Sequence, residues 1–238
     1  ATVRHNITSE YFNVNVNGAD VEIISEASIE GLQYYLSGTT TNGSFSLESD
    51  MPYDVILNNT EITSLTNVPL NLSKNVERNI IIANGTTNIL SDSEDSDGKA
   101  VINSKGATNI SGFGSLTINA NKKHGISSDN DINIDGATIS INHSADASKG
   151  LKSDCNIMIT DGDVNIVSSG TLTLEALDLG YDATYCTSIG ADGNFEMRGG
   201  KLNITLPVSN EAGRGIKTDG DISISGGEIN IVSHSGGD

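Results

Sequence analysis

The sequence has no Trp, three Pro and two Cys among its 238 residues. With only six Tyr and four Phe, no flat aromatic platform is evident. Scarce Pro is expected where many tight turns join short strands and few strands lie at an edge. Cys155 and Cys186 are too few to define a disulfide framework. They also sit at different positions of the repeat described below, so simple stacking does not pair them, although the segment before Cys186 could fold back. No apolar run approaches the roughly 18 residues of a membrane span. Basic residues are few as well: 13 Lys and Arg stand against 31 Asp and Glu, a formal net charge of −18. That imbalance argues against nucleic acid and anionic membranes as direct partners, and it favours cations, either as bound metals or as a basic ligand. The chain starts at Ala1 without Met or a signal segment, which reads as a processed or excised start.

What the sequence does contain is a repeat. The stretch from Lys123 to Ile141 returns at Ser148 to Ile166, at Ser188 to Ile204 and at Gly213 to Ile231. Asp129, Asp154, Asp192 and Asp219 share one column of it, and Ile126, Leu151, Ile189 and Ile216 share another. Within each unit, apolar residues fall at i and i+2 in three short runs separated by Gly, Asp and Asn, where a helix would need i, i+3 and i+4. Three short strands per unit, repeated in register, is the pattern of a parallel β-helix. The continuous repeat implies one domain over 1–238.

In chain order, Phe12 to Ile24 alternates and reads as strands that open the solenoid. Two coils follow without slippage, with Phe45 to Leu47 matching Leu70 to Leu72 and Asp54 to Leu57 matching Asn79 to Ile82. An acidic loop from Ser91 to Lys99 carries Asp92, Glu94, Asp95 and Asp97 and reads as a solvated excursion rather than a metal site. Thr171 to Cys186 is an insertion that interrupts the period without ending it. This gives about eight coils of three short strands. Ser233 to Asp238 has no distinctive polar cap, so we expect either a continuation of the native chain or a last loop folded over the end.

The columns suggest chemistry. Two residues before the repeat aspartates come Ser127, Lys152, Gly190 and Lys217; two residues after come Asp131, Asn156, Asn194 and Asp221. One outward strip therefore combines stacked carboxylates and amides with two lysines. Stacked carboxylates repel, and a cation between coils reverses the sign. Oxygen-only donors suit Ca²⁺ rather than Zn²⁺, which makes Asp129, Asp131, Asp154, Asp192, Asp219 and Asp221 candidate ligands. The plainer reading is that Asp and Asn shape the turns. Asn133, Asn165, Asn203 and Asn230 are candidates for stacked amide ladders, and sequons such as Asn109 and Asn203 read as turn and ladder chemistry. His5, His124, His143 and His234 lack metal-ligand spacing and read as ordinary turn or surface residues.

Leu36 to Asp50, Ala83 to Asp92, Leu179 to Gly200 and Gly213 to Ile231 together resemble the bacterial cell-surface carbohydrate-binding β-helix family, over essentially the whole chain from about Ile7. The resemblance implies a right-handed parallel β-helix, bound Ca²⁺, export to the cell surface or medium, and affinity for cellulose and polygalacturonate. It also implies a fold similar to pectate lyases that use aspartate-bound Ca²⁺ and a lysine base. The expectation is a non-catalytic binder of plant cell-wall polysaccharide. Lys152 and Lys217 are the candidate contacts, with Tyr34, Tyr35, Tyr53, Tyr181 and Tyr185 as candidates for sugar stacking. A Ca²⁺-dependent polyuronate (pectate) lyase built on Asp129, Asp154, Lys152 and Lys217 is one alternative; a surface adhesin or structural solenoid is the other.

Overall fold

The computed structural model describes residues 2–4, 11–210 and 212–234, with side chains from 11 onward. His5, Asn6, Ile7 and the run 235–238 lie outside the described residues. The chain is an all-β parallel solenoid, and no α-helix occurs among the described residues.

Each coil contributes one strand to each of three faces. The first face is a nine-stranded sheet in which Asp20–Ser25, Ser44–Ser49, Leu70–Ser73, Ala100–Ser104, His124–Ser128, Lys149–Ser153, Thr187–Ala191 and Arg214–Thr218 stack in parallel. The second and third faces merge into a 15-stranded sheet because Leu32–Thr40 and Tyr53–Thr63 each run through both. The eight parallel layers of the first face match the expected coils. Phe12–Asn17, which pairs antiparallel with Asp20–Ser25, adds a ninth layer. Its hairpin turns at Gly18, whose φ of 62° suits a residue without Cβ. Phe12 then packs edge-on against Tyr34, with ring centroids 6.2 Å apart, and closes that end of the core.

The register follows the sequence columns. Ile126 pairs with Leu151, Leu151 with Ile189 and Ile189 with Ile216. The inward columns of Ile, Leu, Val and Phe form one continuous core. Asn165, Asn203 and Asn230 do stack, and the Asn203 amide donates to Asn165 Oδ1 at 3.0 Å. Asn133 belongs to a different ladder, on the second face, where the Asn79, Asn109 and Asn133 amides bond in sequence. The offset from the repeat aspartate is alike for these asparagines only within one face, and face membership decides which residues meet.

Two histidines depart from expectation. His124 and His143 are buried. His143 bridges Ser148 and Ser168 Oγ, at 2.6 Å on each side of its ring. Both cysteines are free thiols. Cys186 lies 3.7 Å from His143 Nδ1, while Cys155 sits near Asn130. In the acidic loop Glu94, Asp95 and Asp97 are exposed as expected, but Asp92 is buried and takes the N–H groups of Asn121 and Lys122 on Oδ1.

The early strands of the first face alternate strictly, as in Ser44–Ser49, but from Ala100–Ser104 onward consecutive residues are buried. In strand Lys149–Ser153, Leu151 points inward and Gly150 does too: a Cβ on Gly150 would stand 2.7 Å from the Ser188 carbonyl oxygen and 2.8 Å from Ile166 Cγ2. Gly125 meets the Gly150 oxygen and Ile141 in the same way, at 2.6 and 2.7 Å. At Gly125 and Gly150 the two successive inward positions leave room for only one side chain, whereas Val101 and Ser188 stand at the same position in other coils. Gly150→Ala is therefore expected to cost about 1–3 kcal/mol by overpacking, read as a lower urea midpoint at unchanged slope. An unchanged midpoint would mean that the strand has slack there.

Candidate functional site

The outer surface of the first face carries a row one residue deep that spans all eight parallel coils: Glu22, Ser46, Asn71, Asn103, Ser127, Lys152, Gly190 and Lys217. Neighbours in the row are separated by about 4.8 Å, the spacing of paired strands. The row changes character along its length, from acidic at Glu22 through neutral amides and hydroxyls to cationic at Lys152 and Lys217.

At the cationic end the structure brings a third lysine to the two expected from sequence. The glycine bulge turns Lys149 outward, and its side chain lies where a Cβ of Gly190 would be, with Cδ 2.7 Å from that position. Burial lowers the Lys149 pKa, and the charges of Lys152 and Lys217 push the same way against Asp192 and Asp154. Beneath Lys149, the backbone N–H of Lys149 donates to His124 Nδ1 at 2.9 Å. Burial, helped by Lys123, Lys149 and Lys152, holds the His124 pKa down to about 3, so the ring is neutral. Lys149 was missed in the sequence because alternation counted from Leu151 points it into the core. The signal that would have found it is the residue immediately before each inward glycine: His124, Lys149 and Arg214.

The aspartate column stacks as expected, each amide continuing the ladder to the coil below, and lysines accompany it. Lys105 stands one coil below Asp129 in the same column and pairs with it at 2.6 Å. Lys152 pairs with Asp154, and Lys217 with Asp219. The hydrogen bond from Lys217, and then its charge, lowers the Asp219 pKa. Asp131 has structural work, because its Oδ1 accepts both the backbone N–H and the side-chain amide of Asn156. Asn156 and Asn194 pass the pattern on, each receiving the N–H of the next coil on its side-chain oxygen and so reaching Asp221. This column ties adjacent turns together, as the plainer reading of Asp and Asn expects. The donors have the oxygen chemistry Ca²⁺ prefers. Among the described residues, however, no three Asp, Glu, His or Cys side chains converge as a metal cage. A Ca²⁺ here would need further oxygens, from backbone carbonyls, water or a ligand, to complete its shell.

The tyrosines separate into two groups. Tyr34 and Tyr53 are buried, and they pack edge-to-face with centroids 5.9 Å apart, which removes them as sugar-stacking candidates. Tyr35 is at the surface, where its hydroxyl donates to Gln33. The insertion forms an exposed antiparallel hairpin, Thr173–Leu177 with Gly180–Thr184, in a two-stranded sheet of its own. Tyr181 is 71% exposed on that hairpin. Tyr185 follows it and carries the Arg214 guanidinium 3.7 Å from its ring centroid, a cation–π contact. Arg214 stands in the same outward column as Lys149, one coil beyond Thr187. The site assembled from these residues thus gathers four cations, Lys149, Lys152, Lys217 and Arg214, beside Asp154, Asp192 and Asp219, on a chain of net charge −18. It can hold carboxylates or hydroxyls of a ligand that long-range electrostatics would repel.

The chain is similar to known proteins in family and in fold. A curated relative from Acetivibrio thermocellus, described as a carbohydrate-binding domain-containing protein, is 28% identical over 141 residues, covering 54% of this chain. The match takes in 49% of the relative, so the chain spans about half the length of that protein. Among solved structures, the polysaccharide lyase-like protein from C. thermocellum, as its gadolinium derivative, superposes with a TM-score of 0.63 over 92% of this chain and 90% of that one. At 20% identity that likeness concerns the fold. A family model described as carbohydrate-binding domain-containing protein matches residues 17–238, nearly the whole solenoid, and the chain belongs to that family.

Proposed function

We propose that this chain is a non-catalytic module that binds plant cell-wall polysaccharide outside the cell or on its surface, with acidic polymers such as polygalacturonate held at the lysine face and cellulose-type neutral chains as further ligands. The observation that supports this reading is the gathering of Lys149, Lys152 and Lys217 around Gly190, where the missing side chain makes room for that of Lys149. A uronate carboxylate would displace an aspartate from Lys152 or Lys217, exchanging one surface ion pair for another at little net cost. Calcium, in this reading, is shared between the column of Asp129, Asp154, Asp192 and Asp219 and the carboxylates of the polymer.

The test is affinity for oligogalacturonate in wild type, Lys152→Ala, Lys217→Ala and the double variant, each with Ca²⁺ and with chelator. Each lysine loss is expected to weaken binding by about threefold to tenfold, in line with single charged contacts at a partly exposed site. Chelator should weaken binding further. Unchanged affinity across the set would move the site to the hairpin of Tyr181 and Tyr185.

One observation favours a second reading, a Ca²⁺-dependent polyuronate lyase. Burial and neighbouring cations lower the Lys149 pKa, which is what a lysine general base requires. Incubation with polygalacturonate and Ca²⁺, followed by ultraviolet absorbance for unsaturated product, separates the two. We expect no product above a no-protein control; sustained formation lost in Lys149→Ala would establish the lyase.

A further inference from the structure

The acidic end of the same row opens into a groove of about 640 Å³ between the N-terminal hairpin and the turn at Asp97 and Gly98. Its lining is mostly polar, with Asn15, Asn17, Ser44, Ser46, Asn67 and Asn71, and its charged groups among the described residues are Asp20, Glu22 and Asp97. Among the described residues, neither Lys, Arg nor His lines it. Val14 and Val16 pair with Ile23 and Val21 and so share the core side of the hairpin, while Asn15 and Glu22 face the groove together. The carboxylates are fixed by neighbouring groups. Ser44 Oγ donates to Asp20 Oδ1 at 2.7 Å, and the Asn15 amide donates to Glu22 Oε2 at 2.9 Å. Each carboxylate thereby keeps a second oxygen for a ligand. Further along the floor, Asn71 donates to Ser46 and receives the amide of Asn103, so these groups are preset rather than mobile.

We propose that this groove is a second, separate binding site, and that it takes a glycan bearing free amines, such as a run of glucosamine units. The argument is one of complementarity. Three carboxylates that no cation faces among the described residues repel uronates and attract ammonium groups. The amide and hydroxyl groups of Asn15, Ser46 and Asn71 match sugar hydroxyls. The two ends of one row would then select sugars of opposite charge. The choice of a glycan over a basic peptide rests on the membership of the carbohydrate-binding family; the site itself does not depend on the lysine face.

Calorimetric titration at physiological salt with a glucosamine hexasaccharide, its fully N-acetylated counterpart and cellohexaose tests the proposal. The glucosamine oligomer is expected to bind at least about tenfold more tightly than the other two, because acetylation removes the charge that the carboxylates recognise. The pair Glu22→Gln and Asp97→Asn should abolish that preference, while Lys152→Ala with Lys217→Ala should leave it within about twofold. Retention of the wild-type melting temperature in each variant excludes misfolding as the cause. Removing two of 31 acidic residues barely alters the overall charge, so attraction to the net charge alone predicts no loss in the groove variant. Equal affinity for the three sugars, a preference that survives the groove substitutions, or tighter binding of a lysine hexapeptide at the same groove would each overturn the proposal. Failure of the polygalacturonate experiment, by contrast, would leave these results unchanged.

Discussion

Lowering the pH from 7 to 4 is expected to remove on the order of 3 kcal/mol of folding stability for each of two imidazoles, enough together to approach the full margin of an ordinary domain. His124 and His143 are buried neutral, with pKa values held down to about 3 and about 4. Desolvation is the leading cause for both. For His124 the nearby Lys123, Lys149, Lys152 and His143 add to it, and His143 lies among Ser148, Ser168 and the neutral thiol of Cys186. In the unfolded chain each ring titrates near its ordinary value of about 6.5. Between that value and the folded pKa, the unfolded state binds a proton that the native state does not. Stability is therefore complete above about pH 6.5 and falls by about 1.4 kcal/mol per pH unit for each ring as the pH drops. Asp92 works in the opposite direction, since burial raises its pKa and the native state takes up its proton first. Urea unfolding at pH 7, 5.5 and 4 checks the slope, and an NMR titration of the ring protons checks its origin. Either ring titrating near 6.5 in the folded protein would sink the account for that residue. His143→Asn should flatten the slope by about one proton.

Replacement of Arg78 by Met is expected to cost about 3–5 kcal/mol. Arg78 occupies an inward column, in register with Tyr53 on one side and Thr108 on the other, followed by Ile132, Ile157 and Phe195. It is nevertheless 1% exposed, and no ion pair to a carboxylate is seen among the described residues. Its guanidinium is satisfied by oxygen dipoles instead. One terminal nitrogen reaches the Leu72 carbonyl at 2.8 Å and Ser104 Oγ at 2.7 Å; the other reaches the carbonyls of Lys74 and Val76 at 2.6 and 2.5 Å. The planar group also lies 5.6 Å from the Tyr53 ring centroid. Gly106 makes this possible, because a Cβ there would stand 2.6 Å from the guanidinium and 2.1 Å from the Val76 oxygen. Methionine fills the volume but leaves several carbonyls of one turn without a donor. Lysine restores charge without the five-donor fork and should fall between the two. Equilibrium urea unfolding reads the effect; a loss below about 1 kcal/mol for Met would show that water replaces the guanidinium.

The fold and the long rows were legible because they depend on periodicity. Strands of a solenoid pair with their own repeats, so the spacing from Asp129 to Asp154 and from Asp192 to Asp219 fixed which residues stack. That Lys152 and Lys217 share one row was legible for the same reason. Lys149, Arg214 and the burial of Tyr34 and Tyr53 were not found, because each depends on a direction rather than a spacing. A single extra inward residue at Gly150 reverses the face of Lys149. The pairing of Lys105 with Asp129 was hidden for a related reason, since the coil carrying Lys105 lies outside the four clearest repeats.

By itself the sequence determined the architecture, the register of the late coils and the excess of negative charge, since these follow from which residue types recur and at what interval. Only the tertiary structure decided where cations concentrate, how Asp131 and the asparagines behind it are used as coil-to-coil hydrogen-bond acceptors, and which histidines and arginines are buried. The physical reason is that stacking is a one-dimensional rule that a sequence can carry. The facing of a side chain at a bulge, the satisfaction of Arg78 by four neighbouring oxygens, and the open groove beneath the N-terminal hairpin arise from contacts between different turns and loops, and these exist only once the solenoid has closed.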